Sequence, residues 1–422
     1  MRLGATIVLA LPMLLGGFVQ FVVSQFYQKF ATDALLLDSA IVGSIFFVSR
    51  VTDAVLDPVC GYLSDRFKAR RSFIAAGLVA LAAGMLTAFL PARFTAEHGR
   101  AMQYALAAAG IFTIYLGVTL VYIPHYAWLG SLQRQHTAAP FFAARAVTEN
   151  FGTILGGAAL TLLAPYQGGV AGKSGELLFT VAIMVVVLLL PGILPLLVYR
   201  ADKDSAGESP SFLKALQVLG KNRRFALVAA MSFCNQFAAT TLLAVSLYYA
   251  DYVLGQKNLG VTVAIVFLLS ATAFVPVWSA LARKFNRHRL WGLALFVIIL
   301  VFPTLLVTQA GYLWYLTVFA VVVGGAAGAV ILFVPQEVSD VTGHSDGDAG
   351  GGLYFAAFTF VNKSAMALSP LAIGFALSAA GYNPAERTVV TANTITFLFV
   401  GLPALAFILS ALLLRAYTKH KS

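Results

Sequence analysis

Residues 48–71 read VSRVTDAVLDPVCGYLSDRFKARR, and this stretch decides how the rest of the chain is read. It lies in an apolar segment of membrane-spanning length, yet it carries Arg50, Asp53 and Asp57. Spacings of three and four residues put these charges on one face of an α-helix. A charge near a bilayer centre costs about 3 kcal/mol or more, so three on one face require an internal, watered or mutually paired site. The segment closes in Asp65, Arg66, Lys68, Arg70 and Arg71, where a spanning helix would meet the cytoplasm. A transporter is the expected owner of such a pattern.

Composition agrees. Of 422 residues, 60% are hydrophobic and 11% charged, and mean hydropathy is +0.86. Soluble domains average about 25% charged residues, so the chain reads as a polytopic membrane protein. A net charge of +11 would suit nucleic acid. Its basic residues, however, fall in short loops, and no aromatic–basic stripe lies on a soluble face, so no nucleic-acid partner is expected. Cys60 and Cys234 lie in apolar segments and read as small buried hydrophobes, with no disulfide or metal framework. The opening run, MRLGATIVLALPMLLGGFVQFVVSQFY, is too long for a signal peptide and reads as a retained first helix.

Twelve segments of spanning length follow one another, over 5–28, 40–62, 72–91, 103–128, 144–165, 178–199, 224–252, 260–281, 289–308, 312–335, 351–380 and 392–417. The longest polar break, RADKDSAGESPSFLKALQVLGKNRR from Arg200 to Arg224, separates six spans from six. The expected fold is an all-α membrane protein of twelve transmembrane helices in two six-helix halves. Residues 1–199 and 224–422 form the bundles, and 200–223 a central cytoplasmic loop. With the N-terminus inside, nineteen Lys and Arg fall in inner segments and six in outer loops, Lys29 among the six. This predicts a multi-pass protein of the plasma (inner) membrane with both termini cytoplasmic. Arg50, Arg145 and Lys363 remain inside spans and demand a functional explanation.

The halves resemble each other weakly. GYLSDRFKARR (61–71) lies over SALARKFNRHR (279–289), and QFYQKFATDAL near the end of span one resembles SLYYADYVLG near the end of span seven. Paired six-helix halves are the repeat logic of secondary transporters, whose substrate site lies near the midplane between the halves.

These residues resemble the major facilitator superfamily, and within it the glycoside–pentoside–hexuronide:cation symporters, the family of melibiose permease. The similarity covers nearly the whole chain. It is carried by SRVTDAVLDPVCGYLSDR (49–66), which matches the family's helix II pattern, and by NRRFALVAAMSFCNQFAATTLLAVSLYYADYVLG (222–255), which resembles the entry into helix VII. A third piece is the Glu337–Lys363 region followed by SPLAIGFALSAAGY, with Lys363 in the place of the helix XI lysine. Arg145 resembles the helix V arginine. The resemblance implies a cation site at Asp53 and Asp57, joined by Thr119 of helix IV. Three positions depart from the family pattern. Leu56 stands where sodium- and sugar-using members have asparagine, Tyr122 where they have a helix IV carboxylate, and Gly17 where they have the helix I carboxylate that holds sugar hydroxyls.

Two adjacent carboxylates in a low-dielectric setting repel, so one can carry a proton; sodium would want several more hard oxygens. The coupling ion is a proton or sodium, with the proton favoured, and Tyr122 is the fourth candidate at this site. No cofactor is expected. The alternative for Asp53 and Asp57 is a permanent salt bridge to Arg50 or Arg145 that fixes packing. Candidate substrate contacts are Gln20, Tyr122, His125, Tyr126, Trp128, Arg145, Glu149, Gln236 and Lys363. Glu149 stands one turn after Arg145 and is its expected partner. The aromatics could stack a sugar ring or serve as anchors, His125 could relay protons or hold helices together, and Lys363 could snorkel to water. Asp65, Arg66, Arg70 and Arg71 read as a conformational latch. The glycine-rich Glu337–Asp348 stretch reads as a loop and lacks the setting of a phosphate-binding loop.

The expected activity is cation-coupled symport of a sugar, glycoside or uronate by alternating access, in a monomer within the lipid bilayer. The alternative is a carrier of an amphiphilic or anionic substrate such as a lysophospholipid. An enzyme would need a metal-ligand cluster or an activated nucleophile inside the spans, and neither HExxH nor GxSxG occurs within them. A channel would need pore-lining polar repeats across an oligomer, against which the two-half pattern argues.

Overall fold

The computed structural model describes residues 3–94, 99–133, 139–166, 169–170, 172–198, 222–256, 259–307, 313–343 and 351–419. Helices dominate, because a backbone crossing hydrocarbon must satisfy its own N–H and C=O groups. Twelve helices are long and apolar enough to cross a membrane. In the first half these are α1 (Ile7–Asp33), α2 (Ser39–Ser64), α3 (Arg70–Arg93), α4 (Arg100–Tyr126), α5 (Val147–Tyr166) and α6 (Ser174–Leu197). The second half holds α7 (Arg223–Val253), α8 (Leu259–Ala282), α9 (Arg287–Leu306), α10 (Trp314–Val341), α11 (Ala356–Ala379) and α12 (Val389–Lys419). The helices containing α5 and α11 begin earlier, at Ala139 and Gly351.

Every expected span has its helix, but two charged residues sit elsewhere than expected. α1 runs on past Tyr27 through a π turn, Val23–Tyr27, to Asp33. Lys29, expected in an outer loop, therefore lies inside α1 at 1% exposure. It pairs with Asp33 one turn on, which neutralises it and lets the helix continue. Glu337, expected in a loop, lies fully buried within the helix Leu313–Gly343. The remaining glycine-rich residues 344–350 lie outside the described residues, as do 199–221, most of the expected central loop.

The chain divides into two compact units, Met1–Ser209 and Pro210–Ser422. Within the first, α1 packs on α5 and α6, α2 on α4, and α3 on α4 and α6. Within the second, α7 packs on α11 and α12, α8 on α10, and α9 on α10 and α12. Each helix keeps the neighbours of the one six places earlier. Even the π turn of α1 has a counterpart, Tyr249–Val253, near the end of α7.

The α1–α5 contact positions the site described next. A Cβ at Gly17 would lie 2.2 Å from the Glu149 carbonyl oxygen, and one at Gly152 would lie 2.2 Å from that of Leu14. The two backbones touch, as only small residues allow. A carboxylate-bearing side chain at position 17 has no room at this helix spacing.

Candidate functional site

One stripe of α4 organises the buried charges of the first unit. Tyr115, Thr119, Tyr122 and Tyr126 recur at spacings of four, three and four residues, so they share a face about 16 Å long. Each step of the stripe meets a charged side chain from α2 or α5.

At the first step, the Arg50 guanidinium carbon lies 4.3 Å from the centre of the Tyr115 ring. Arg50 is only 2% exposed, so the ring's negative face replaces part of its lost hydration. One turn further on, α2 brings Asp53 and Asp57 to the same hydroxyl. Thr119 Oγ1 forms a close hydrogen bond to Asp53 Oδ1 and lies 3.1 Å from Asp57 Oδ1. Asp53 is 1% exposed and Asp57 half-buried. A threonine hydroxyl owns a single proton, so it can donate to one of these carboxylates but not to both. With both ionised, the second contact sets lone pair against lone pair. A proton on one carboxyl, or a cation among the three oxygens, removes that conflict. Pro58 follows Asp57 in α2 and Pro124 stands further along α4 than Thr119, and each deprives a carbonyl one turn back of its helical partner.

At the far end of the stripe stands Arg145, buried at 5% exposure. Its Nη1 donates to Glu149 Oε2 at 2.9 Å, the partner its spacing implies. The guanidinium carbon lies 3.6 Å from the Tyr126 ring centre and 5.1 Å from that of Tyr122. Gly16 of α1 makes room for Tyr122, whose Cε2 would be 2.7 Å from a Cβ there. Gln20 lies one turn beyond Gly16 on the same face of α1. The Nε and Nη2 groups of Arg145 are buried with no hydrogen-bond partner among the described residues. Buried donors without acceptors are rare and cost about 1–3 kcal/mol each.

The structure thus brings Asp53, Asp57 and Thr119 together, and gathers Tyr122, Tyr126, Arg145 and Glu149 one turn away. Tyr122, named for both sites, belongs by its contacts to the arginine group. His125 is fully buried with Nε2 2.9 Å from the Leu9 carbonyl oxygen, a contact that ties α4 to α1. The side chains of Trp128 and Asp65 lie outside the described ones.

In the second unit, half-buried Gln236 donates to Thr240 Oγ1 at 3.3 Å. Lys363 is half-buried on α11, beside Asn362, which accepts from Ser232 Oγ at 2.7 Å. Of the expected latch, Arg66 is exposed and stacks on Tyr62, Arg70 is buried, and Arg71 is intermediate.

An ionic cluster not foreseen from the sequence joins α9, α10 and α12. Glu337 Oε1 forms an ion pair with Arg287 Nε at 2.6 Å and lies 2.7 Å from His288 Nε2. Glu337 Oε2 accepts from the Tyr417 hydroxyl at 2.7 Å, and Arg287 also pairs with Asp340. Fifty residues separate Arg287 from Glu337, so no local spacing signals the pair.

With this geometry in hand, comparisons with known proteins become informative. The family model described as MFS/sugar transport protein matches residues 8–419. The inner membrane symporter YicJ of Escherichia coli (strain K12) is 24% identical over 404 residues, spanning 92% of this chain and 85% of that protein. The isoprimeverose transporter of Lactiplantibacillus pentosus is 25% identical over 424 residues, spanning 94% and 85% respectively. Among solved structures, the nucleoside transporter NupG shares the fold, with a TM-score of 0.70 at 15% identity over 99% of this chain and 100% of that one.

Proposed function

We propose, from the premise that this chain belongs to the MFS/sugar transport protein family and is a transporter and not an enzyme, that it performs cation-coupled symport of a sugar or glycoside. It works by alternating access, as a monomer in the inner membrane with both termini cytoplasmic.

The observation that carries the reading is the single hydroxyl of Thr119 set between two carboxylates. One added positive charge relieves the conflict at that shared hydroxyl, and Asp53 and Asp57 are its binding groups. Formal charge supports the same stoichiometry. Arg50, Asp53, Asp57, Arg145 and Glu149 together carry one net negative charge, and a low-dielectric interior favours neutrality. One proton or one sodium ion supplies it. The small oxygen count, with Leu56 and Tyr122 in place of further ligands, favours the proton.

Arg145 is the substrate's main polar anchor. Its two unoccupied buried donors suit hydroxyls or a carboxylate, so uronates belong to the substrate range beside neutral glycosides. Tyr126 and Tyr122 offer ring faces against a sugar, Glu149 fixes the guanidinium, and Gln20 adds an amide nearby. Thr119 and Tyr122 are about 4.5 Å apart along one helix, so filling the cation site stiffens the segment that shapes the substrate site. The isoprimeverose of the related transporter is the first substrate to try, because that protein aligns along almost all of this one. The amphiphile alternative has no observation in its favour.

Uptake into proteoliposomes tests the reading, with imposed proton or sodium gradients and a panel of isoprimeverose, other glycosides, uronates and lysophospholipids. Gradient-driven accumulation of a glycoside is expected, falling in Asp57→Asn to the level of empty liposomes. Full accumulation by that variant sinks the coupling assignment.

A further inference from the structure

The second unit holds a cavity of about 920 Å³ between the start of α9 and the end of α12. Its lower wall is apolar, formed by Leu293 and Phe296 of α9 and Leu414 of α12, and its rim carries Arg289 and Arg415. Arg289, Leu293 and Phe296 follow at spacings of four and three, so the arginine heads the same face that bears the exposed apolar side chains. Leu293 and Phe296 are 51% and 60% exposed, as befits a surface bathed in acyl chains. Gly292 opens the floor, since a Cβ there would touch only Leu414 Cδ2 at 3.9 Å.

Charge decides what fits. Among the described residues, none that lines this cavity is acidic. The acids at this end of the helices, Glu337 and Asp340, are already engaged by Arg287 and His288. Arg289 and Arg415 are both exposed and make no side-chain hydrogen bond or ion pair among the described residues. Two uncompensated guanidinium groups stand where an apolar membrane face meets the polar end of its helices. Free phosphate would satisfy the arginines and leave the apolar slot unused; a neutral lipid would do the reverse.

We propose that this cavity is a binding site for an anionic phospholipid of the surrounding bilayer, with its phosphate between Arg289 and Arg415 and an acyl chain over Gly292, Leu293 and Phe296. Basic pockets between spanning helices at the membrane surface bind such headgroups through charge-assisted hydrogen bonds.

Titration of delipidated, detergent-purified protein with phosphatidylglycerol, followed by native mass spectrometry, tests this. Phosphatidylcholine and inorganic phosphate serve as the other arms. Wild-type protein is expected to retain phosphatidylglycerol in preference to both. Two basic side chains at about 1 kcal/mol each set the expected loss in Arg289→Gln/Arg415→Gln at roughly 30-fold in affinity. Lys284→Gln, an exposed basic residue outside the cavity, should bind as wild type does. Gly292→Leu fills the slot without touching either arginine and should also weaken binding, which keeps the test intact if the double variant folds poorly. Equal retention of phosphatidylcholine, equal competition by phosphate, or undiminished binding by the double variant or by Gly292→Leu overturns the proposal.

Discussion

The two units repeat one helix arrangement and use buried charge in opposite ways. In the second, Glu337 is surrounded by Arg287, His288 and Tyr417 near the ends of α9, α10 and α12. Each of its oxygens has an oppositely charged or hydrogen-bonding neighbour within 2.7 Å. In the first, charges from α2 and from the helix that contains α5 meet the Tyr115–Tyr126 stripe of α4. Thr119 has one proton for two carboxylates, and Arg145 has two idle donors. A closed ionic cluster braces helices. An open one in a membrane interior costs stability unless something arrives to close it, which is why the proposed site lies in the first unit.

The largest expected effect comes from opening the closed cluster. Glu337→Ala removes contacts to Arg287, His288 and Tyr417 at once, leaving Arg287 its pair with Asp340, and should destabilise the protein by about 3–5 kcal/mol, read by thermal unfolding in detergent. A loss below about 1 kcal/mol, typical of surface pairs, would erase the contrast between the units. Arg145→Lys comes next, because an ammonium keeps the charge but loses the fork and the ring stacking. Substrate binding measured by calorimetry should weaken roughly 10- to 100-fold, about 1.5–3 kcal/mol, while the unfolding temperature barely moves. A large drop in that temperature with unchanged affinity would move Arg145 from binding to bracing.

Thr119→Val should lower cation affinity about tenfold, with Thr119→Ser restoring it, since only the hydroxyl distinguishes the pair. The smallest effect belongs to the neutral contact between α7 and α11, where Thr241 Oγ1 and Ser369 Oγ lie 2.9 Å apart. Thr241→Val should cost about 1 kcal/mol of stability and leave coupling untouched. A changed ion dependence there would extend the working site into the second unit.

Much of this was legible in the chain, for reasons that differ by residue. Hydropathy located all twelve spans because each helix must satisfy its own backbone in lipid. The Arg145–Glu149 pair was legible because both ends lie on one turn of one helix. The trio of Asp53, Asp57 and Thr119 spans more than sixty residues and was reached through family resemblance; no local spacing announces it. The pairing of Arg287 with Glu337 escaped notice because fifty residues separate the two. Lys29 was misplaced because Gln28 and Lys29 look like the polar end of a span. The pairing with Asp33 that carries α1 onward is itself a local i, i+4 signal, and it was available.

The central claim is that Asp53 and Asp57 hold the ion that tunes substrate binding, and thermodynamic linkage tests it most directly. Substrate affinity of the purified protein would be measured across pH, with and without sodium, for wild type and for Asp53→Asn/Asp57→Asn. The account predicts that wild-type affinity depends on the ion while the double variant binds with one affinity throughout. An unchanged ion dependence in the double variant would contradict it.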